Sequence, residues 1–523
     1  MSEQSRFFTG AIIVSILGML LLAYATQSGP GLSPDSRSYL SGARFLLEGR
    51  GICNVNGDGN IVPMTHFAPL YPILLAGTGF GGDPLERARW IGAAFFGGSI
   101  FLGGWLVFRA AGRSALGGII ASVLFALSFD LVRVYVMVWS EPAFIFFMLG
   151  GFLLIANYLQ RLRTPLLALG SAAIACAFVT RYSGAALVIS TGLVILLYPN
   201  RPMRRRLIDS MVYSVISIAP MIAWIVRNLI TAQSAADREA AFHPPNWNDI
   251  QLSLATLANW FVPIPFEPRT FLAILAAAVV AIGAIFAARR FVGARTAPPS
   301  VEAPATQASL LLGAFCIVYV LFLLFSLTFV DAHTPLDYRI LSPLYVGLLL
   351  WAILKLAPLG GSDRWRVVII AALGFFLASQ ATRSAAWAHT TSDEGIGAGS
   401  KVWKNSPTLK FVADLPAGTL LYSNAPDLID FRINRFAKPV PKVTNPITRK
   451  PEKTYRPYLM GLRDDLAAHG GYIVWFNTRR ASRWYLVTET QINTDLPLEK
   501  VTGFTDGTVY RLRPAPATTK SIP

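Results

Sequence analysis

Long apolar runs dominate the pattern of the larger, N-terminal part of the chain. Each run has about 20 residues with few charges, the length that a helix needs to cross the hydrocarbon core of a bilayer, and such runs recur from Phe7 to about Thr382. The pattern predicts about eleven membrane-spanning helices, approximately at residues 8-26, 90-110, 114-131, 141-159, 165-180, 183-198, 208-230, 270-288, 309-330, 340-356 and 367-383. Residues 1-383 are therefore predicted to form one transmembrane domain.

The pattern changes after residue 383 to that of a soluble domain. Three short strand-like runs, 'GTLLYS', 'GYIVWF' and 'GTVYRL', accompany a helical stretch from Thr454 to His469. This alternation predicts a small α/β domain over residues 384-523. The domain has no G-x-G-x-x-G motif, so we do not expect a dinucleotide site in it. We expect it to pack on the scaffold or to guide an acceptor.

Composition agrees with a membrane protein. Hydrophobic residues make up 53% of the chain and charged residues 14%, and the mean hydropathy is +0.48. The formal net charge of +17 does not indicate a nucleic-acid partner, because the basic residues are dispersed over short loops and do not form one stripe with exposed aromatic residues. The segment from Phe7 to Thr26 has no small-x-small cleavage site, so we expect a retained helix. The isolated Cys53, Cys176 and Cys316 predict neither a disulfide framework nor a thiolate metal cluster.

Basic residues mark alternate loops and so predict the orientation. With the N-terminus inside, every inner turn carries lysine or arginine, as the positive-inside rule requires. These residues are Arg109, Arg113, Arg161, Arg163, Arg201, Arg204, Arg205, Arg206, Arg289, Arg290, Arg295, Lys355, Arg364 and Arg366. The segments 27-89 and 231-269 and the C-terminal domain then lie on the extracytoplasmic side of a bacterial-type inner (plasma) membrane. No phosphate-binding loop of the G-x-x-x-x-G-K-[ST] type is present, so the sequence gives no sign that ATP drives the protein.

Ionisable residues at the ends of the predicted spans are costly near lipid and need a reason. In this orientation ten of them, from separate parts of the sequence, fall at the same outer face. They are Asp35, Arg37, His66, Glu141, Arg181, Arg227, Asp331, His333, Asp337 and Arg339. Any one alone is adequately explained as a bilayer anchor or a helix cap, but their coincidence at one level predicts a polar site there.

The stretch 'PDSRSYLSGARFLLEGRG' predicts an interfacial helix at this face. Asp35 and Tyr39 are spaced i, i+4 and share one side of the helix, next to an apolar stripe that begins at Leu40. Ser33 or Asp35 also suits the N-cap position, and capping does not exclude catalysis. The 'NGDG' that follows predicts a hairpin turn rather than a calcium loop, since the closing glutamate of an EF-hand is missing. 'HFAPLYP' then predicts the start of another surface helix, where His66 either faces the outer space or is a plain polar residue at the helix start.

Glu141, Arg181 and Arg227 each have a structural and a functional interpretation. In 'WSEPAFIFF', Glu141 follows a capping Ser140 at a helix start, where the helix dipole favours a negative charge, and it also adds a second carboxylate at the outer rim. Arg181 interrupts two spans, and Arg227 lies about one turn before the end of the seventh. Arginines so placed anchor a helix in the bilayer or hold a phosphate.

Taken in order, 'PDSRSYL', 'PLYPILLAG', 'SEPAF', 'TRYSGAAL', 'WIVRN' and 'DYRILSPLY' resemble the GT-C superfamily of polytopic glycosyltransferases. The similarity is to the group with the protein O-mannosyltransferases and the aminoarabinose transferases that modify lipid A, and it covers roughly residues 8-383. It implies a GT-C fold, a sugar donor carried on a polyprenyl phosphate, an active site at the outer face and inversion at the sugar carbon.

The resemblance also implies roles for single residues. Asp35 matches the aspartate of the first loop, the catalytic base, and Glu141 matches a supporting acidic position. Arg227 and Arg339 fall where basic residues lie near the lipid phosphate. Ser36 follows Asp35, whereas other members have a paired acidic motif, so no metal is assigned and a divalent cation stays open. The residues expected to contact substrate are Tyr39, His66, Tyr71, Arg181, Arg227, Asp337 and Arg339.

These residue types suit sugar transfer from a phosphate. One base has to take the acceptor proton, while the phosphate departs without an acid if its charge is stabilised, for which arginine is suited. The acceptor is a glycan, a lipid or a protein, and membrane lipids surround the site. Two other classes stay open: a transporter or flippase of a lipid-linked glycan, and an assembly partner without activity. Transporters place ionisable residues near the midplane in repeated halves, whereas these charges gather at the rim and we find no internal repeat.

Overall fold

A computed structural model describes residues 1-79, 83-199, 201-238, 240-261, 304-331, 334-356, 363-477 and 483-513. Up to Glu394 it is almost entirely helical. The helices of this part are α1 (Glu3–Ala25), α2 (Pro34–Leu47), α3 (Leu70–Ala76), α4 (Pro84–Ala110), α5 (Ala115–Leu127), α6 (Phe129–Tyr135), α7 (Glu141–Arg161), α8 (Thr164–Thr180), α9 (Gly184–Leu197), α10 (Met203–Ala232), α11 (Trp247–Phe261), α12 (Pro304–Phe329), α13 (Ser342–Leu356) and α14 (Asp363–Glu394).

Helices cover every predicted span within the described residues. Among the described residues, five helices are long and apolar enough to cross a membrane, and α5 with α6, bent by 62° at Ser128, would make a sixth. The shorter apolar helices α8, α9 and α13 lie at three further predicted spans. The predicted span 270-288, the inner-loop residues Arg289, Arg290 and Arg295, and His333 lie outside the described residues. The number of eleven spans therefore stays a prediction.

Helix α7 is the most buried of the five candidate spans among the described residues, and small residues let its neighbour α8 approach closely. A Cβ on Gly151 would lie 2.6 Å from Ile174 Cγ1 of α8, and one on Gly170 of α8 would lie 2.7 Å from Ile155 Cδ1. Helices in membranes associate largely through such close packing, because lipid is as apolar as their side chains. The tight α7–α8 contact fixes the end of α7 that carries Glu141 relative to the end of α8 next to Arg181.

The connecting segment between α1 and α4 has the predicted interfacial helix and hairpin. Ser36 Oγ accepts a hydrogen bond from the Ser33 backbone N–H at 3.0 Å and donates one to the Val138 carbonyl at 3.0 Å, so it ties the start of α2 to the loop before α7. Strands β1 (Cys53–Val55) and β2 (Ile61–Pro63) pair antiparallel around the turn at 56-60. The predicted helix at 'HFAPLYP' starts at Leu70, and His66 lies in the loop before it.

The C-terminal region is an α/β unit, as predicted. Its five-stranded sheet has the order β4-β3-β5-β7-β6, with β4, β3 and β5 parallel and β7 and β6 antiparallel. The elements are α15 (Lys401–Lys404), α16 (Pro407–Asp414), β3 (Leu421–Ser423), α17 (Pro426–Ile433), β4 (Lys438–Pro439), α18 (Tyr455–His469), β5 (Tyr472–Phe476), α19 (Glu489–Asp495), β6 (Leu498–Gly503) and β7 (Gly507–Leu512). The three predicted strands and the predicted helix are confirmed, and the predicted boundary at residues 383-384 falls inside α14.

Candidate active site

A cavity of about 630 Å³ lies beside the start of α2, and it contains much of the predicted polar site. Its walls come from α2, from the loop before α3, from the α8–α9 junction, from α10 and α12, and from the loop that precedes α13. The polar lining includes Asp35, Tyr39, His66, Arg181 and Arg339. Residues far apart in the sequence are thus brought to one place, as the coincidence at one face predicted.

Two carboxylates and two arginines form a continuous ion-pair network at this cavity: Asp35, Arg181 and Arg339 line it, and Glu141 is buried and is not among the described lining residues. Arg339 Nη2 lies 2.7 Å from Asp35 Oδ2, and Arg339 Nε lies 2.6 Å from Glu141 Oε1. Arg181 Nη1 reaches the same Glu141 oxygen at 2.6 Å. Arg339 also stacks over the Trp139 ring, with its guanidinium carbon 4.2 Å from the ring centroid. Both arginines are held by short charge-assisted contacts at the cavity wall.

Glu141 is the buried centre of the network. Its side chain is 0% exposed, and one of its oxygens receives both arginines. The other oxygen, Oε2, has no hydrogen-bond partner among the described residues. The position at the first turn of α7 suits a carboxylate, because backbone N–H groups and the helix dipole favour negative charge there. Glu141 is therefore placed to hold Arg181 and Arg339 in position.

Asp35 is the carboxylate that the cavity exposes. Its side chain is 31% exposed. Burial alone would raise the pKa of Asp35, but the charge of Arg339 and its hydrogen bond, together with His66 and Arg181, bring this pKa below its ordinary value. Asp35 is thus a carboxylate at neutral pH. The predicted capping role falls to Ser33 and Ser36, which leaves Asp35 to face the cavity.

Tyr39 and Tyr71 form an aromatic layer behind Asp35. The Tyr39 hydroxyl is hydrogen-bonded to Ser140 Oγ at 3.0 Å, and the two tyrosine rings meet edge to face with centroids 5.0 Å apart. Burial, and then the negative charges of Asp35 and Glu141, raise the pKa of Tyr39, so its hydroxyl keeps its proton. Tyr39 lines the cavity, whereas Tyr71 is buried behind it and is not among the described lining residues.

His66 also lines the cavity. Its ring packs edge-on to Phe67, with centroids 4.8 Å apart. Burial, and then the positive charge of Arg238, lower the pKa of His66. The imidazole is therefore neutral at neutral pH, so it can take part in a hydrogen bond to a polar substrate group without adding charge.

Arg227 and Asp337 are not among the described residues that line the cavity. Arg227 donates hydrogen bonds to the carbonyls of Met64 and Ile52, both at 3.0 Å, and so fastens α10 to the β1–β2 hairpin. Asp337 Oδ1 accepts from the backbone N–H of Arg339 at 3.0 Å and of Ile340 at 3.2 Å. Both residues stabilise backbone conformations through hydrogen bonds. Arg227 stabilises the hairpin segment, and Asp337 stabilises the turn that carries Arg339.

A second ion pair on the cavity wall was not predicted as part of the site. Arg238 Nη1 lies 2.5 Å from Asp331 Oδ2, and both residues line the cavity. In the sequence Arg238 is an ordinary loop charge in 'SAADREAAF'. The contact depends on the tertiary structure, because the backbone N–H groups of Ala241 and His243 donate to carbonyls at the end of α12 and draw this loop across the cavity. Only the aspartate had been noted, as an outer-face charge.

The residues of the site do not fit a metal ion. No group of three or more histidine, cysteine, aspartate or glutamate side chains that could hold a metal occurs in the part of the chain that the structure describes. Asp35 and Glu141 both have arginine partners instead. We derive no step through a divalent cation.

No protein-family model matches the chain, and no curated protein matches it. Solved structures of ArnT from Cupriavidus metallidurans are similar to it over nearly the whole length. The apo structure has a TM-score of 0.59 at 12% identity and covers 97% of this chain and 98% of that one. The structure with bound undecaprenyl phosphate has a TM-score of 0.56 at 13% identity and covers 95% and 97%. The chain therefore shares the fold of ArnT over nearly its whole length, which agrees with the fold that the sequence resemblance implied.

Proposed function

We propose that the chain is an integral-membrane glycosyltransferase. It transfers a sugar from a polyprenyl-phosphate-linked donor to an acceptor hydroxyl, with inversion, at the extracytoplasmic face of a bacterial-type inner membrane. The observation that carries the proposal is the carboxylate of Asp35 on the wall of a large cavity, 2.7 Å from Arg339. That this cavity occurs in a fold similar to ArnT, one structure of which holds undecaprenyl phosphate, supports a lipid-linked donor.

The cavity has two kinds of wall, which suit the two parts of such a donor. Apolar residues of α10 and α12 line one side, among them Ile225, Phe322 and Phe325. Phe325 is 56% exposed, as is usual for a side chain that faces lipid. The arginines line the other side, and guanidinium groups bind phosphate oxygens through paired, charge-assisted hydrogen bonds. The polyprenyl chain lies on the apolar side in this proposal, and the phosphate lies next to Arg339 and Arg181.

Asp35 acts as the base. The acceptor oxygen attacks the anomeric carbon from the side opposite the phosphate, and its proton passes to the Asp35 carboxylate. The bond between the anomeric carbon and the phosphate oxygen breaks, and its electron pair leaves with polyprenyl phosphate, whose charge the arginines stabilise. Because attack and departure occur on opposite sides, the configuration inverts. A base of this kind contributes about 10²–10⁴-fold to the rate.

The test is Asp35→Asn, which keeps the shape of the side chain and removes the base. We expect transfer to fall by at least about 10²-fold, measured as the modified glycans of the host envelope by mass spectrometry against a strain that lacks the protein. Binding of undecaprenyl phosphate and thermal unfolding in detergent are expected to persist. The control is Asp414→Asn, an exposed position on α16. Glycan transfer at the wild-type level in Asp35→Asn would favour a transporter and would refute the role of Asp35.

A further inference from the structure

A second cleft, of about 640 Å³, lies on the far side of α2 from the active-site cavity. Its walls are α2, the β1–β2 hairpin and the end of α17 of the C-terminal domain. A volume of this size is within the range of about 300–1,000 Å³ that accommodates ligands of several rings. None of the described residues that line the active-site cavity lies in this cleft, whereas Arg37, one of the ten outer-face charges, does.

Helix α2 presents a different face to each of the two cavities. Asp35 and Arg44 are nine residues apart, which is about 2.5 helical turns, so their side chains point to opposite sides of the helix. Arg44 belongs to the cleft together with Arg37, Ser41 and Glu48, which follow each other at intervals of four, three and four residues. Since helical neighbours three and four apart share a face, α2 has one face for catalysis and a polar face for the cleft.

The C-terminal domain closes the cleft from the other side. Arg37 Nε donates to Asp430 Oδ2 of α17 at 2.6 Å, which joins α2 to this domain. The Phe436 ring packs against the hairpin at Gly59, where a Cβ would lie 3.0 Å from Phe436 Cε1 and where φ is +89°. Phe436 nevertheless stays 38% exposed. The C-terminal domain therefore supplies one wall of the cleft, and that wall has an accessible aromatic ring.

The lining of the cleft contains both positively and negatively charged side chains, which donate and accept hydrogen bonds. The Nε atoms of Arg44 and Arg50 lie 3.7 and 3.6 Å from the carboxylate of Glu48, beyond hydrogen-bond distance. The lining has equal numbers of arginines and acidic residues, namely Arg37, Arg44 and Arg50, and Glu48, Asp58 and Asp430. Such a lining suits an uncharged ligand with many hydroxyl groups better than a polyanion, and the exposed ring of Phe436 suits the C–H face of a sugar.

We propose that this cleft binds the glycan chain of the acceptor, an uncharged oligosaccharide portion that extends beyond the reacting sugar. The inference rests on the proposed function and names its acceptor class. A helix with its side chains is about 10–12 Å across, so an acceptor that reaches both Asp35 and the cleft around α2 has several sugar units. A single small acceptor molecule would not span the two.

The experiment measures transfer by the full-length protein in detergent. A lipid extract of host membranes supplies the donor, and increasing amounts of the glycan-bearing envelope fraction from a strain without the protein supply the acceptor. Ser41→Trp fills the cleft, and Arg44→Ala removes a donor at an exposed position where folding is not at risk. Ala467→Trp adds the same indole at an exposed site of α18 and serves as the control.

Both cleft variants are expected to raise the half-saturating amount of acceptor fraction by about tenfold, with the half-saturating amount of lipid extract unchanged and the control equal to wild type. Wild-type acceptor dependence in both cleft variants, or a change in donor dependence instead, overturns the inference and leaves the proposed function in place. If the wild-type protein forms no product at any amount of either extract, the proposed function fails and this inference fails with it.

Discussion

The two sides of α2 contain the same kinds of charged residue in very different surroundings. On the cavity side, Arg181 and Arg339 are 15% and 17% exposed and make contacts of 2.6 Å to a carboxylate that is fully buried. On the cleft side, Arg44 and Arg50 are 56% and 58% exposed and lie 3.6 Å or more from Glu48. The difference teaches that burial, rather than residue type, decides which charges hold a fixed geometry, since exposed pairs contribute only about 0–1 kcal/mol.

The largest effect on stability is expected at Glu141, the fully buried carboxylate of the cavity side. Glu141→Gln leaves Arg181 and Arg339 without their shared counter-charge in a buried place, which costs about 3–5 kcal/mol when one partner of a buried pair is removed. Thermal unfolding of the purified protein in detergent measures this loss. The matched control is Glu48→Gln, which makes the same change on the cleft side and is expected to stay within about 0.5 kcal/mol. Equal losses in both variants would contradict the contrast.

Arg339→Gln separates the chemical role of the network from its structural role. The side chain next to Asp35 and the proposed phosphate position is lost, and we expect transfer to fall by about 10²–10³-fold, as for removal of one group that stabilises developing charge. The measurement is the initial rate of transfer in the extract assay, with undecaprenyl phosphate binding followed in parallel.

The same variant has a pH signature with a definite sign. Burial favours the neutral Asp35 carboxyl, and Arg339 is the main group that opposes it, so its removal raises the pKa of Asp35. In the wild-type protein, the pH at which the rate falls to half on acidification is therefore expected below the ordinary pKa of aspartate. In Arg339→Gln this midpoint is expected at higher pH. The stability that Asp35 contributes is likewise present above its unfolded pKa and lost as pH falls through the lower folded pKa. Arg238→Gln, in the same cavity, should leave the limb in place.

The sequence was sufficient for the helical scaffold and for bringing some of the candidate residues to one cavity. Apolar runs of bilayer length predict spans because lipid gives backbone groups no partner outside a helix. The i, i+4 spacing places Asp35 and Tyr39 on one face, and both line the cavity. The positions of these helices and the shared face of Asp35 and Tyr39 could be predicted because they depend on local periodicity.

The pairing of the charges could not be read in the same way. Glu141 and Arg339 are 198 positions apart, and only the packing of the helices brings them into contact. Arg227 was expected near the lipid phosphate, yet it donates hydrogen bonds to the carbonyls of Met64 and Ile52 beside the hairpin. Strands β4 and β6 were not predicted, since β4 has two residues and 'LEKVTG' of β6 alternates too weakly to stand out. Strand β6 lies at the edge of the sheet, where such polar residues are common.

The smallest effect is expected at the ion pair of Arg37 and Asp430, which joins α2 to the C-terminal domain. Its side chains are 18% and 30% exposed, more than the fully buried Glu141 and less than Arg44 and Arg50. A double-mutant cycle with Arg37→Ala and Asp430→Ala, read by thermal unfolding, should give a coupling of about 1 kcal/mol, the upper end for a pair that water still reaches. A coupling near zero would mean that this pair contributes as little to stability as the exposed charges of the cleft. The position of α2 would then not depend on its ion pair with the C-terminal domain. A coupling as large as the loss in Glu141→Gln would mean that the C-terminal domain fixes the helix carrying Asp35 as firmly as the buried network does.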